Sequence, residues 1–161
     1  MTIDELIAKL QAIRDEAAAA MPACAMAMAD QYKEHLTTVT LRRSFAAPGQ
    51  FGTPAPVGSP VAWRTGTLAR SVTSWPGGST GVSATAHVAP HTVYSAVQEY
   101  GREIFAQRFP YMRWYNDRGW WAKKRVFVPP RPYLRPALDE VVGDGSLLRA
   151  AGGAFIAATG L

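Results

Sequence analysis

The stretch FVPPRPYLRPALDE, residues Phe127–Glu140, decides how the rest of the chain is read. Pro129, Pro130, Pro132 and Pro136 fall within eight residues, and a plain helical pattern follows. Each proline fixes φ and biases the residue before it toward extended backbone, so the first three make a stiff connector. Pro136 suits the first turn of a helix, where its missing N–H costs nothing. Ala137, Leu138, Val141 and Val142 carry that helix forward, and Tyr133 and Leu134 are held at a fixed place beside a core.

Working toward the N-terminus, residues 102–125 are basic and aromatic. Arg102, Arg108, Arg113, Arg118, Lys123, Lys124 and Arg125 face only Glu103 and Asp117, so this one stretch holds the whole formal excess of +5. Phe105, Phe109, Tyr111, Trp114, Tyr115, Trp120 and Trp121 are interleaved, with poor periodicity. RVFV at 125–128 reads as a strand returning to a sheet, and the residues between as a hairpin or extended excursion. Before it, HTVYSAVQEYG (91–101) sets Val93, Ala96, Val97 and Tyr100 at helical spacing, with Gly101 as the stop. GVSATAHV (81–88) alternates as a half-buried strand, with Val82, Ala84, Ala86 and Val88 on one face. WPGGSTG (75–81) reads as a turn between strands. WRTGTLARSV (63–72) gives a turn at Gly66 and a short helix.

Residues 3–38 form a long helix. Ile3, Leu6, Ile7, Leu10 and Ile13 recur at helical spacing, Thr2 can cap, and Asp4 and Glu5 suit the first turn. Pro22 should kink the helix or split it into a pair. Its Ala and Met content suits close packing, inside the domain in preference to another subunit. Residues 44–62, rich in Pro and Gly, make a long extended loop of the kind that orders against a partner. Residues 63–142 form the core and 143–161 a tail with one short, glycine-broken helix. The 161 residues suit one domain, and 48% hydrophobic with 18% charged residues excludes wholesale disorder. No run of eighteen apolar residues would span a membrane, and the N-terminus does not read as a secretory signal. Cys24, the single cysteine, reads as a buried, inert thiol and points to assembly in the cytoplasm.

Nothing in the sequence asks for an enzyme. His35, His87 and His91 have no metal-ligand spacing, and no GxSxG, Walker or GxGxxG pattern occurs. Arginines among Trp and Tyr suit a subunit interface, which favours the same residue types, more than nucleic acid. A nucleic-acid-binding module using residues 102–125 is the alternative of another class.

Three elements occur in order: Thr65-Gly66-Thr67-Leu68 with Ser71, Tyr94-Ser95-Ala96 with Glu99 and Gly101, and Arg131-Pro132-Tyr133-Leu134-Arg135-Pro136-Ala137-Leu138. Their order over residues 65–138 resembles tailed-phage head–tail joining, or tail-completion, proteins of the neck, similar to the minor tail protein Z group. Ser95 and Tyr133 stand where that family commonly has alanine and phenylalanine. The resemblance implies an α+β domain, with a long N-terminal helix and a C-terminal helix packed on a small antiparallel or mixed sheet. It implies a virion protein at the neck or tail end. The protein would be one subunit of a ring, expected to be a hexamer, between the head connector or stopper and the tail tube or terminator. The resemblance admits contact with DNA in the lumen and implies no cofactor, metal or membrane. A tail terminator capping the tube is the close variant. The expected contact residues are Arg102, Arg108, Trp114, Tyr115, Trp120, Trp121 and Arg125, with Phe45 and Phe51 of the loop as anchors. Gly66, Leu68, Tyr94, Glu99, Gly101, Pro132, Tyr133, Leu134 and Pro136 carry the structural motif.

Overall fold

A computed structural model describes residues 2–42, 66–116 and 119–160. The loop at 44–62, with Phe45 and Phe51, lies outside the described residues, as do Thr65 and Arg118. The architecture is α+β, with a long N-terminal helix, two C-terminal helices and small antiparallel sheets. The order is α1 (Ile3–Thr38), a 3-10 turn (Thr40–Arg42), α2 (Thr67–Arg70), β1 (Val72–Thr80), β2 (Ser83–Pro90) and α3 (Ser95–Tyr100). Then follow β3 (Arg102–Phe105), β4 (Met112–Asn116), β5 (Gly119–Lys123), β6 (Arg125–Val128), α4 (Leu134–Gly143) and α5 (Ser146–Thr159). Among the described residues the strands form three two-stranded ribbons, β1 with β2, β3 with β6 and β4 with β5, where the sequence suggested one sheet.

The chain divides into two compact units. One comprises residues 1–34, 73–89 and 138–161; the other comprises 35–72 and 90–137. In the first, α1 opens with a capping box. The Glu5 amide donates to Thr2 Oγ1 (3.3 Å), and the Thr2 amide donates to Glu5 Oε2 (2.7 Å). Two N-terminal donors are thereby satisfied reciprocally. Pro22 lies inside a helix that stays continuous, where the sequence allowed a split. Its ring removes one hydrogen bond of the many in 36 residues, and the strong helix formers on either side hold the rest. Ala20, Ala29, Val141 and Leu147 are buried in this unit. Cys24 is half-buried, less enclosed than its apolar neighbours suggest.

WPGGSTG is not a turn. It forms most of β1, and the turn falls at Gly81–Val82, which leaves Val82 exposed instead of on the half-buried face. Gly77 serves close approach. A Cβ on Gly77 would strike Thr85 Oγ1 and come within 2.8 Å of His87 Nε2. Thr85 Oγ1 donates to the Gly78 carbonyl (2.9 Å), and the Trp75 and His87 rings stack at 5.5 Å. The α5 helix runs through Gly152 and Gly153 without a break. Two helical glycines cost about 2 kcal/mol relative to alanine, and the Leu and Ala residues around them sustain the helix.

The second unit buries Leu36, Thr40, Leu41, Leu68, Ala69, Val72, Tyr133 and Ala137. Gly66, at φ 68°, starts α2 in a left-handed conformation that favours glycine. Leu68, the second residue of α2, is buried, and the Ser71 carbonyl accepts the His91 amide at 3.1 Å.

Candidate interaction surface

The base of the surface is a clasp between α3 and the proline connector. The apolar spacing of 91–101 predicts an amphipathic helix buried through Val93, Ala96, Val97 and Tyr100. α3 forms, but Val93, Ala96 and Tyr100 are exposed, and its buried residue is Glu99. The reason is polar. Glu99 Oε2 accepts the backbone N–H groups of Tyr133 (2.8 Å) and Leu134 (3.1 Å). These are two of the three N–H groups at the start of α4, Tyr133, Leu134 and Arg135, that no helical carbonyl can reach. Pro136 sits in the same first turn and has no N–H to satisfy. A carboxylate also suits the positive end of the helix dipole. The Arg131 amide donates to the Gln98 carbonyl at 2.7 Å. Gly101, at φ 70° and ψ 155°, lies so close that a Cβ would stand 2.8 Å from Pro130 Cδ. The fold thus joins two of the sequence elements, YSAVQEYG and RPYLRPAL, through Glu99, Gly101, Tyr133 and Leu134. Tyr94 ends half-exposed at the start of α3, and Pro132 lies in the connector.

From this base the chain runs out along β3 and β4 and returns along β5 and β6. β3 pairs antiparallel with β6, from Arg102 opposite Val128 to Phe105 opposite Arg125. The Ala106 amide donates to the Lys124 carbonyl (3.0 Å) and extends that ladder by one step. β4 pairs with β5, with Trp114 opposite Trp121 and Tyr115 opposite Trp120 in backbone register. RVFV is therefore the returning strand that the sequence suggests, and its partner is β3.

Nearly every described residue of this arm is exposed. Trp120 is 77% accessible and Trp121 40%, and Arg102, Arg108, Arg113, Lys123, Lys124 and Arg125 all face solvent. Arg125 meets Glu103 at 3.6 Å, an exposed pair that adds little stability. Lys124 Nζ lies 5.8 Å from the centre of the Tyr111 ring. Arg113 lines two recesses. One, of about 680 Å³, spans Ala106–Arg113; the other, of about 450 Å³, is shared with Trp120, Trp121 and Ala122. A guanidinium beside indole rings can take a carboxylate or phosphate together with an apolar or aromatic group.

Among the described residues no group of three His, Cys, Asp or Glu side chains could hold a metal ion. His87 is engaged with Trp75, and His91 lies exposed at the end of β2. No single described helix is long and apolar enough to cross a membrane; α4 and α5 pass such a test only together, across a 67° bend. No protein-family model, curated protein or solved structure matches this chain.

The sequence did not reveal Glu99 as a buried cap, nor that the apolar stripe Ile3–Ile13 is left uncovered. The first has a faint signal: an acid on the short helix preceding the connector. The second has none, because an amphipathic stripe reads the same whether its cover is internal or external.

Proposed function

We propose that this protein is a structural component of a tailed-phage virion. It would be one subunit of a hexameric ring at the head–tail interface that completes the tail or neck and lets head and tail join. Its work is binding, without catalysis or cofactor. The observation that carries this reading is the β3–β6 arm: a basic, aromatic ribbon exposed to solvent, anchored at its base by Glu99 and Gly101. A two-stranded ribbon has too little core to be stable alone in water, so a covering partner is the economical reading. Exposed Trp and Arg are the side chains that dominate protein interfaces. The clasp at the base fixes the direction from which the ribbon leaves, as a subunit contact requires. The ordered likeness of three sequence elements to tail-completion proteins supplies the kind of assembly.

A tail terminator is the near variant. The recess at Arg113, Trp120 and Trp121 favours nucleic acid as a second reading, since it pairs a phosphate donor with stacking surfaces. Electron microscopy of particles from a phage lacking the gene tests the proposal. Filled heads beside detached tails of normal length are expected. Overlong tails would make the protein a terminator, and intact, infectious virions would overturn the neck reading.

A further inference from the structure

The outer edge of β6 is open. Its register with β3 ends at Phe105 opposite Arg125. One step further, the Ala106 amide donates to the Lys124 carbonyl (3.0 Å), so Ala106 and Lys124 form a hydrogen-bonded pair. Opposed residues in an antiparallel ladder alternate between bonded and non-bonded pairs. Phe105–Arg125 and Glu103–Phe127 are therefore non-bonded pairs, and the N–H and C=O groups of Arg125 and Phe127 point away from β3. Among the described residues β6 has no second neighbouring strand, and no turn or loop bond reaches these groups. β3 has an edge of the same kind, but it ends where residues 106–111 leave the ladder. β6 instead continues β5 with only Lys124 between them. Lys123, Lys124 and Arg125 stand in succession along this open strand, all exposed, and the sequence holds no acid from Arg118 to Leu138. Lysines on an edge repel a like-charged strand, so this edge is guarded against pairing with its own copy. The same charges favour a strand of opposite charge. Phe127, 61% exposed, adds an apolar contact on the same strand.

We infer that this edge takes an extended, acidic segment of a different protein as an added strand. A strand edge presents donors and acceptors in alternation, which another backbone matches; a phosphate chain offers acceptors alone. A second copy does not fit. Apart from Glu103 and Asp117 of the arm, every Asp and Glu of this chain lies on a helix or in the turn after α4, so it has no acidic strand to lend. Such a strand presupposes that the arm is a protein contact, as proposed above, and gives the partner its chemistry.

The probe is a labelled peptide of alternating Glu and Val, long enough to span β5 and β6, followed by fluorescence anisotropy with the full chain. Saturable binding that weakens with salt is expected. The same peptide N-methylated throughout keeps its charge but has no N–H to pair, and should bind at least about tenfold more weakly. A Lys–Val peptide should not bind. Phe127→Pro removes an outward N–H and no bond to β3, so circular dichroism should be unchanged while binding of the Glu–Val peptide falls at least about tenfold. Phe127→Ala keeps that N–H and should bind at least about fivefold better than the proline variant. No binding of the Glu–Val peptide, equal binding of its N-methylated form, or tighter binding of single-stranded DNA than of the peptide would overturn the strand site. In a phage lacking the gene, Phe127→Ala should restore infectivity and Phe127→Pro should not. If both restore it, the strand site falls and the neck reading stands. If the phage is infectious without the gene while the peptide still binds, the neck reading falls and the strand site stands.

Discussion

Replacing Glu99 with alanine removes the acceptor that satisfies the Tyr133 and Leu134 amides. A hydrogen bond to a charged group is worth about 1.5–3 kcal/mol, and each amide left buried without an acceptor costs about 1–3 kcal/mol. These two bonds share one oxygen, so their losses are not independent, and about 3 kcal/mol of destabilisation is the expected total. For a chain of this length that lowers the melting temperature by about 6–12 °C. Glu99→Gln keeps an amide oxygen at the same place. It loses the charge at the helix terminus, worth about 1 kcal/mol, and should fall by about a third as much. Thermal and urea unfolding followed by circular dichroism would measure both variants against the wild type. If Glu99→Ala unfolds within about 0.5 kcal/mol of the wild type, the carboxylate does not hold the connector, and the account of the clasp is wrong.

Gly101→Ala places a Cβ against Pro130 at a backbone geometry open almost only to glycine. A loss of about 2–4 kcal/mol in urea unfolding is expected. Gly77→Ala should cost about 1–3 kcal/mol by the same assay, because Thr85 and His87 of β2 occupy the space. Trp120→Ala/Trp121→Ala should melt within about 1 kcal/mol of the wild type yet fail to restore infectivity to a phage lacking the gene; normal infectivity would remove these side chains from the interface. On the neck reading, binding to short DNA should be weak and vanish at physiological salt, and tight binding that survives there would favour the nucleic-acid reading.

Much of the fold was legible because it depends on local rules. The 3.6-residue spacing of Ile3, Leu6, Ile7, Leu10 and Ile13 gave α1, and the alternation of Ala84, Ala86 and Val88 gave β2. Gly66 and Gly101 stand where positive φ is needed. The prolines of 129–136 marked the connector and the start of α4. Local rules failed where a distant group decided. WPGGSTG looks like a turn until Thr85 and His87 are set against it. α3 looks apolar-faced until Glu99 is set under the first turn of α4.

The candidate surface divides the same way. Its chemistry, seven basic residues among aromatics at 102–125, is written in the sequence. Its exposure is not, because Trp120 in a core and Trp120 in solvent are the same letter. The sequence alone determined α1, α4, β2 and β6 and where the charge lies, since these follow from neighbours along the chain. Only the tertiary structure decided that an acid, not an apolar face, anchors α3, and that the stripe of α1 is left open. Those outcomes depend on which groups meet across tens of residues, where one buried carboxylate with two amide donors outweighs the pattern of its own helix.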